Sequence, residues 1–358
     1  MRLVVDGLGY PVVVSDGAPQ VVAEIAMQRA RSAVVAADRA VSERAEAIAA
    51  ALGEAGCAVL AYSLIAAGER RKQWPSVSGL HDAWLKAGAD RHVVVVAVGG
   101  GTLTDVAGFA AATYLRGVPW VPVATTLLGM VDAAIGGKTG VDRKEGKNLI
   151  GAFWPPWGVV ADLASLATLP RTERRTGIAE AVKAAVVGDA GLLDELEHVE
   201  VDGSPQAWGP IVARAATVKA RVVAADPADR DGRAVLNLGH TFAHAIELAS
   251  RYRVRHGAAV ALGLRAAGIV ARDRTGWPQA MHARMLCAMR RAGLRVHARL
   301  PVDVVLASME HDKKRVAGQV RFVLPYALGD VRYGIEVPRE TVRSALIELE
   351  RAPVKSGW

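Results

Sequence analysis

Hydrophobic residues in the first half of the chain form short unbroken runs and do not alternate with polar residues. The runs lie at residues 11–14, 33–37, 58–64 and 93–98, and stretches of helical composition separate them at 39–52 and 81–87. A strand that is apolar on both faces must be covered on both faces, as in a parallel sheet flanked by helices. The pattern therefore predicts an α/β fold for this half.

After residue 170 the apolar residues are spread through longer segments rich in alanine, leucine and glutamate. These segments predict helices at residues 178–187, 210–225, 241–251, 260–274, 279–292 and 338–349, while 318–324 alternates like a strand. The change predicts two domains, an α/β domain at residues 1–167 and a mostly helical domain at 168–358. A chain of 358 residues is long enough for each domain to bury its own core.

The composition is that of a globular protein. Hydrophobic residues make up 51% and charged residues 22%, and the apolar run at 93–98 is far too short to cross a bilayer. The first residues lack the long apolar segment of a signal peptide. Because Cys57 and Cys287 are the two cysteines, neither a disulfide framework nor a cysteine zinc motif is predicted. A cytoplasmic enzyme without a membrane partner fits best.

The net charge of +8 and the isoelectric point near 9.7 raise the question of a nucleic-acid partner. The basic residues are scattered and mostly arginine, and no basic stretch is interleaved with aromatic residues. Solvated surface arginines explain the charge, and a basic pocket for a phosphorylated substrate is compatible with it. We therefore expect no nucleic-acid partner.

The most informative stretch is the glycine- and lysine-rich segment at residues 136–148. Its glycines allow the backbone to approach a ligand closely, and Lys138, Lys147 and Asn148 supply hydrogen-bond donors. These groups suit an anion, most simply a phosphate. The spacing is not that of a P-loop, and a Gly/Lys loop by itself is also a common turn.

A candidate dinucleotide site precedes this segment. The run at 93–98 leads into the sequence GGGTLTD and a helical stretch, and a strand, a glycine turn and a helix N-terminus together form a cradle for pyrophosphate. Thr125 and Thr126 follow the next strand, and Asp38 ends an earlier one, where a carboxylate can meet a ribose. Since the spacing departs from Gly-x-Gly-x-x-Gly, a plain tight turn is an equal alternative.

Candidate metal ligands lie in the second half. His240 and His244 are four residues apart and share a helix face, Glu180 shares a face with Lys183, and His256 follows a basic turn. Two histidines and one carboxylate with an open coordination position are the usual ligands of catalytic zinc. Spacing does not say which histidines bind, and each alone is more often a cap or a core residue.

Further polar residues accompany these motifs. They are Arg116, Lys219, Arg233, Asn237 and the run Asp312-Lys313-Lys314. Each alone is typical of a solvated surface. Their occurrence together with the glycine loops favours a polar substrate.

Several segments of the chain occur in the order found in one enzyme family. They are GGGTLTDVAGFAAATYLRG, TTLLGMVDAAIGGKTGVDRKEGKNLIGAF, GIAEAVK, LNLGHTFAHAIE, RHGAAVALG and DKK with VRFVLP. In these segments the chain resembles the 3-dehydroquinate synthase family of sugar-phosphate cyclases. The resemblance extends from about Gly68 to Tyr333, and the N-terminal part matches only in outline.

The resemblance implies a Rossmann-like NAD-binding α/β domain and a mostly α-helical metal-binding domain. Glu180, His240 and His256 would hold zinc or cobalt. The positions that match NAD contacts are Asp38, Glu69, Lys72, Gly100, Gly101, Asp105, Thr125, Thr126, Lys138, Lys147 and Thr168. Those that match substrate contacts and catalytic groups are Asp132, Lys138, Asn148, Lys183, Lys219, Arg233, Asn237, His244 and Lys313 or Lys314. Arg116 matches a position that reaches into a neighbouring subunit's site, which implies a homodimer.

The implied activity is the conversion of 3-deoxy-D-arabino-heptulosonate 7-phosphate to 3-dehydroquinate and phosphate, in the shikimate pathway of aromatic amino acid biosynthesis. NAD would oxidise the substrate transiently, phosphate would leave by elimination, and the hydride would return before an intramolecular aldol reaction closes the ring. NAD is then regenerated in each turnover, so the enzyme is a lyase without net redox change.

Two other activities are compatible with the same architecture. An aminodehydroquinate synthase or another sister cyclase keeps nearly the same residues, although Lys219, Arg233, Asn237 and His244 together favour dehydroquinate formation. A metal-dependent NAD alcohol dehydrogenase would not need the phosphate donors.

Two departures from the family pattern bear on the site. Asp229 stands where Glu is usual, and its shorter carboxylate can slacken a supporting contact. Ala258 replaces a frequent Glu beside His256. If that Glu oriented the imidazole, another group must now do so.

Overall fold

The computed structural model describes residues 1–66, 68–310, 315–316 and 319–352. Its contacts divide the chain into two compact units. The first unit comprises Met1–Arg174 and Gly203–Ala228, and the second comprises Arg175–Asp202 and Asp229–Trp358. The chain therefore passes between the units more than once, and the domain boundary after residue 167 stays a prediction.

The first unit is built on a seven-stranded sheet. The strands in this part of the chain are β1 (Arg2–Val5), β2 (Val12–Ser15), β3 (Ser32–Asp38), β4 (Ala58–Ile65), β5 (Val94–Gly99), β6 (Trp120–Ala124), β7 (Lys138–Arg143), β8 (Gly146–Phe153) and β9 (Val159–Asp162). The sheet order is β1-β2-β9-β6-β5-β3-β4, in which β1 is antiparallel to β2 and the other neighbours are parallel. β7 and β8 form a separate antiparallel hairpin. The predicted parallel α/β sheet is confirmed.

Helices make up most of the remaining structure. They are α1 (Ala18–Met27), α2 (Ser42–Glu54), α3 (Trp74–Lys86), α4 (Gly101–Thr113), α5 (Arg171–Gly188), α6 (Ala190–His198), α7 (Trp208–Ala225), α8 (His240–Ala249), α9 (His256–Arg274), α10 (Gln279–Arg291), α11 (Val302–Glu310) and α12 (Arg339–Glu348). The helices α1–α4 and α7 belong to the first unit, and α6 and α8–α12 belong to the second. The chain passes from the first unit to the second within α5.

Each face of the large sheet carries its own hydrophobic core, as the unbroken apolar strands require. Along β5, Val94, Val96 and Val98 pack with α1 and α2, whereas Val95 and Ala97 pack with α3 and α4. Every residue of β5 is buried. The predicted burial of the run at residues 58–64 is wrong, because β4 lies at the edge of the sheet and its Leu60, Tyr62 and Leu64 are exposed. The carboxyl ends of the parallel strands meet at one edge of the sheet, which is where such folds place ligands.

The second unit is organised around α9, which is buried along most of its length. Arg265 of α9 is itself buried and donates hydrogen bonds to the carbonyl oxygens of Val296 at 2.8 Å and Glu348 at 3.1 Å. These bonds fix the end of α12. A small antiparallel sheet of β10 (Arg315–Val316), β11 (Gln319–Ala327) and β12 (Asp330–Glu336) completes the described part of this unit.

The predicted helices occur, with ends displaced by a few residues. The largest displacements are in α3, which was expected at residues 81–87 and begins at Trp74, and in α5, which was expected at 178–187 and begins at Arg171. Helix α3 has a proline in its first turn. Proline is favoured there because its missing N–H has no partner within the helix. None of the described helices is long and apolar enough to cross a membrane.

Candidate active site

Glu180, His240 and His256 meet in the second unit and form a candidate metal centre. Glu180 lies in α5, His240 is the first residue of α8, and His256 is the first residue of α9. Oε1 of Glu180 lies 3.3 Å from Nε2 of each histidine. The three ligand atoms lie within 4.8 Å of one another. The spacing of the histidines left the choice of ligands open, and the geometry brings these two together with the carboxylate.

The other ring nitrogen of each histidine faces an oxygen atom. Nδ1 of His240 lies 3.2 Å from the carbonyl oxygen of Leu238, and Nδ1 of His256 lies 3.5 Å from Oε2 of Glu247. An acceptor at Nδ1 favours the tautomer that carries its proton there, which leaves the lone pair of Nε2 available to a metal. Both rings are therefore oriented as metal-binding imidazoles usually are.

The donor set and its surroundings fit a divalent transition metal. Two imidazoles and one carboxylate are ligands that catalytic zinc takes, with a further position left for water or substrate. Glu180 is 1% exposed, and a buried carboxylate requires a compensating positive charge. Lys183 Nζ, 2.5 Å from Oε2, supplies part of that charge, while Oε1 faces the histidines.

Two close helix contacts bring the ligands together. A Cβ atom on Gly257 would lie 2.4 Å from Cα of Thr176, so α9 begins directly against α5. Gly239 precedes α8 with a φ of +78°, and its carbonyl oxygen would lie 2.2 Å from a Cβ atom on Gly263 of α9. A side chain at either contact would push apart the helices that carry the ligands.

The electrostatics of the centre favour positive charge. Burial alone would raise the pKa of Glu180, but Lys183 and the hydrogen bonds from His240 and His256 hold that pKa well below its ordinary value. Burial lowers the pKa of His256, but its hydrogen bonds to Glu180 and Glu247 outweigh burial and raise the pKa to about 10. A divalent cation would supply this charge in place of the proton on His256.

The other predicted residues of the second unit lie near the start of α8 or beyond the described chain. His244 is exposed one turn after His240, and the two ring centroids are 5.5 Å apart. Arg233, which is buried, and Asn237 lie in the 3₁₀ turn Gly232–Asn237 that leads into α8. Lys313 and Lys314 lie outside the described residues.

In the first unit, the predicted glycine turn joins β5 to α4. Gly100 precedes the helix and Gly101 begins it. A Cβ atom on Gly100 would lie 2.9 Å from Cγ2 of Thr126, so this turn packs against the segment that follows β6. Thr125, in that segment, is buried. The first turn of α4 offers the backbone N–H groups that a pyrophosphate needs.

A surface cleft lies at the same edge of the sheet. Asp38, Gly68 and Thr102 are among the residues that line it. Asp38 is the last residue of β3, and its carboxylate accepts a hydrogen bond of 2.9 Å from the N–H of Ala40. The predicted ribose-binding carboxylate is therefore held at the cleft by its own backbone turn.

Lys72 connects two of the predicted motifs. Its ammonium group is buried and donates hydrogen bonds to Oδ2 of Asp105, in α4, and to Oδ1 of Asn148, in β8. Burial lowers the pKa of Lys72, but the charge and hydrogen bond of Asp105, together with the charges of Glu69 and Asp142, raise it overall. The ammonium group therefore stays charged and ties the β7–β8 hairpin to the glycine turn.

Glu69 makes a second connection between the same motifs. Its carboxylate accepts a 3.0 Å hydrogen bond from the hydroxyl of Thr102 and lies 3.2 Å from Nζ of Lys147. Burial alone would raise the pKa of Glu69, but Lys147 and Lys72 lower it. The carboxylates and lysines predicted to surround NAD thus form one charged network in the first unit.

The remaining predicted residues of this unit lie in several different elements. Asp132, in a π-helical turn, forms an ion pair with Lys219 of α7, although the two are far apart in the sequence. Lys138 is exposed at the start of β7. The hydroxyl of Thr168 lies 3.4 Å from the carbonyl oxygen of Ser165, and Arg116 is exposed.

Two residues that contact the predicted site residues were not themselves predicted from the sequence. Asp142 accepts a 2.8 Å hydrogen bond from the backbone N–H of Asn148, and no pattern in the sequence indicates this pairing. Glu247 contacts His256 and lies two helical turns after His240 on the same face of α8. The spacing between His240 and Glu247 is visible in the sequence, and it could have been used to predict that Glu247 lies near the candidate ligands.

Comparison with known proteins identifies one family that this chain matches over most of its length. Models of the 3-dehydroquinate synthase N-terminal and C-terminal domains match residues 62–176 and 177–315. A 3-dehydroquinate synthase of Synechococcus sp. (strain CC9605) is 44% identical over 306 residues, which cover 84% of this chain and 82% of that protein. A 3-dehydroquinate synthase of Gloeobacter violaceus is 44% identical over 294 residues, which cover 79% of this chain and 80% of that protein.

Solved structures of sugar-phosphate cyclases share the fold. The 2-epi-5-epi-valiolone synthase of Streptomyces hygroscopicus, solved with NAD+ and Zn2+ bound, is 32% identical with a TM-score of 0.85, covering 95% of this chain and 96% of that one. A 2-deoxy-scyllo-inosose synthase complexed with carbaglucose-6-phosphate, NAD+ and Co2+ also gives a TM-score of 0.85, covering 97% of this chain and 100% of that one. At 23% identity, the second similarity shows the fold alone.

Proposed function

The chain belongs to the 3-dehydroquinate synthase family, and we propose that it converts 3-deoxy-D-arabino-heptulosonate 7-phosphate into 3-dehydroquinate and phosphate. The observation that carries the proposal is the cluster of Glu180, His240 and His256, whose ligand atoms lie within 4.8 Å of one another. A divalent metal held there could polarise the hydroxyl group that such an activity oxidises and later restores.

We infer that the chain binds NAD through its first unit and a divalent metal, zinc or cobalt, through its second. Gly100, Gly101, Thr125 and Thr126 would hold the pyrophosphate, and Asp38 would accept a hydrogen bond from a ribose hydroxyl. When bound, the metal would polarise a substrate hydroxyl while NAD accepts and returns a hydride.

The substrate phosphate is assigned to the β7–β8 hairpin. Lys138 is an exposed cation at the start of β7, and Asn148 of β8 is held in place by Lys72 and by Asp142. A rigid amide and a cation together suit a phosphate that must be bound firmly and then released. Lys147 and Thr168 stay assigned to NAD.

Further polar residues are assigned to the hydroxyl groups of the substrate. Asp132 and Lys219 form an ion pair that can orient a hydroxyl group by donating to it and accepting from it at once. Lys183, Arg233 and Asn237 supply further donors. These assignments, and those of Lys313 and Lys314, follow from the family pattern.

His244 is the residue assigned to proton transfer. Its ring lies one helical turn beyond the ligand His240, with the ring centroids 5.5 Å apart, and its side chain is exposed. An imidazole close to a metal ligand but outside the ligand set can accept a proton from a substrate hydroxyl and return it.

We further infer that the enzyme is a cytoplasmic homodimer in which Arg116 completes a neighbouring subunit's site. Arg116 is exposed, and it and Leu115 both have positive φ angles, of 69° and 48°. Gly117 follows, packed against the indole of Trp154, so the backbone presents the arginine from a rigid turn. The cysteines Cys57 and Cys287 are unpaired, which suits a reducing compartment.

Metal removal tests the proposed centre. Dialysis against a chelator should abolish turnover and also remove bound metal measured by atomic absorption, and added Zn2+ or Co2+ should restore both. His240→Ala should lose the metal, whereas His198→Ala, at an exposed histidine of the same unit, should keep it. Turnover that persists after complete metal removal would contradict the proposal.

A further inference from the structure

Glu247 is a buried carboxylate beside the metal centre that no step of the proposed reaction uses. It is 5% exposed, and its Oε2 makes a long hydrogen bond of 3.5 Å with Nδ1 of His256. Burying a carboxylate is costly unless it is paired or hydrogen-bonded. The contact with the ring of His256 is one such interaction of the buried Glu247 carboxylate.

The two histidines of the centre are restrained by different means. The side chain of His240 is 10% exposed, and its Nδ1 faces a main-chain carbonyl oxygen close to it in the sequence. The side chain of His256 is 33% exposed and lies at the first residue of α9, so packing restrains it less. The ring of His256 therefore depends more on a partner at Nδ1.

The turn between α8 and α9 brings Glu247 and His256 together. The hydroxyl of Ser250 donates a 2.9 Å hydrogen bond to the carbonyl oxygen of Glu247 and accepts one of 3.2 Å from the N–H of Val254. The N–H of Tyr252 donates a further bond of 2.7 Å to the same carbonyl oxygen. Arg251 and Tyr252 have positive φ angles, so the turn holds a strained shape that these bonds maintain.

We propose that Glu247 is a positioning residue that accepts the Nδ1–H of His256 and so holds Nε2 of that ring toward the metal. This role rests on the proposed metal centre. Because Ala258 stands where the family often has a Glu beside His256, another group must orient the ring, and we assign that role to Glu247. A carboxylate at Nδ1 fixes the ring and also makes Nε2 a stronger donor to a cation.

The test is equilibrium binding of Zn2+ and Co2+ to the purified full chain, by competition with a chelating dye. Glu247→Ala should weaken Zn2+ binding about ten- to a hundredfold and change the visible spectrum of the Co2+ form. Glu247→Gln keeps an acceptor oxygen without its charge, so its loss should be smaller. Circular dichroism establishes that each variant is folded.

Glu197→Ala is the matched control, because Glu197 is a partly buried carboxylate of the same unit that pairs with Arg284 and not with a metal ligand. It should bind Zn2+ as the unaltered chain does. If the unaltered chain binds Zn2+ and both Glu247 variants bind it with the same affinity, the role proposed for Glu247 is overturned, but the proposed metal centre is not. Failure of the unaltered chain to bind metal would overturn the proposed centre as well.

Discussion

At the scale of single residues, the proposed metal ligands could be predicted from the sequence, but the residues that support them could not. Glu180, His240 and His256 belong to motifs with recognisable spacing, although the spacing alone left His244 as an equal choice. The contact of Glu247 with His256 depends on the turn between α8 and α9, whose shape comes from left-handed residues that no local pattern indicates.

The phosphate assignment is tested by removing a single cation. Lys138→Ala should raise the KM for the phosphorylated substrate about ten- to a hundredfold, because a hydrogen bond to a charged group is lost. The affinity for NAD, measured by fluorescence titration, should change much less. Lys144→Ala, at another exposed lysine of the same hairpin, is the control and should leave both quantities unchanged. An unchanged KM and kcat in Lys138→Ala would refute the assignment.

At the scale of secondary-structure elements, periodicity identified buried strands and long helices best. The runs that became β3 and β5 are buried on both faces, so their composition alone reveals them. The β7–β8 hairpin was anticipated only as a glycine-rich loop, because its β8 strand is largely exposed and lacks an apolar pattern. The start of α3 was missed because its first residues, Trp74 and Pro75, are exposed and do not belong to the apolar face of the helix.

Helix α10 contains a histidine whose burial makes stability depend on pH. His282 is 6% exposed, and Nδ1 has no hydrogen-bond partner among the described residues. Burial, with the charges of Arg272 and Arg265, lowers the pKa of His282 to about 4. In the unfolded chain the pKa of a histidine is about 6.5, so between these two values only the unfolded chain takes up the proton.

The contribution of His282 to stability should therefore fall by up to about 3 kcal/mol as the pH drops from about 6.5 toward 4. Chemical unfolding of the chain at pH 7 and at pH 4.5 measures this loss. His282→Gln should reduce the difference between the two pH values, whereas His297→Gln, at an exposed histidine of the same unit, should not. Equal pH dependence in His282→Gln and the unaltered chain would show that His282 is not responsible.

At the scale of the whole molecule, the fold class followed from the sequence because two different apolar patterns occupy the two halves of the chain. The division of the chain into two compact units was harder to predict from the sequence. Helix α7 lies in the helical half of the sequence, yet its packing places it in the first unit, where it carries Lys219 to Asp132. The unit to which a helix belongs is determined by contacts between residues far apart in the sequence, so no local sequence pattern indicates it.

The proposed homodimer can be tested by mixing two inactive variants. If Arg116 of one subunit completes the site of the other, Arg116→Ala and His240→Ala mixed in equal amounts after subunit exchange should recover about a quarter of the unaltered activity. In a mixed dimer, one site keeps its metal ligands and receives an intact arginine. Size-exclusion chromatography follows the exchange. Absence of recovery in demonstrably mixed dimers would contradict the shared site.

Turnover of 3-deoxy-D-arabino-heptulosonate 7-phosphate by the purified chain, with Zn2+ and a catalytic amount of NAD, is the decisive measurement of the proposed activity. Equal amounts of phosphate and 3-dehydroquinate, identified by mass spectrometry, are expected, with no net formation of NADH. Accumulation of NADH would point to a dehydrogenase. The absence of phosphate release from the metal-loaded protein would contradict the proposed activity.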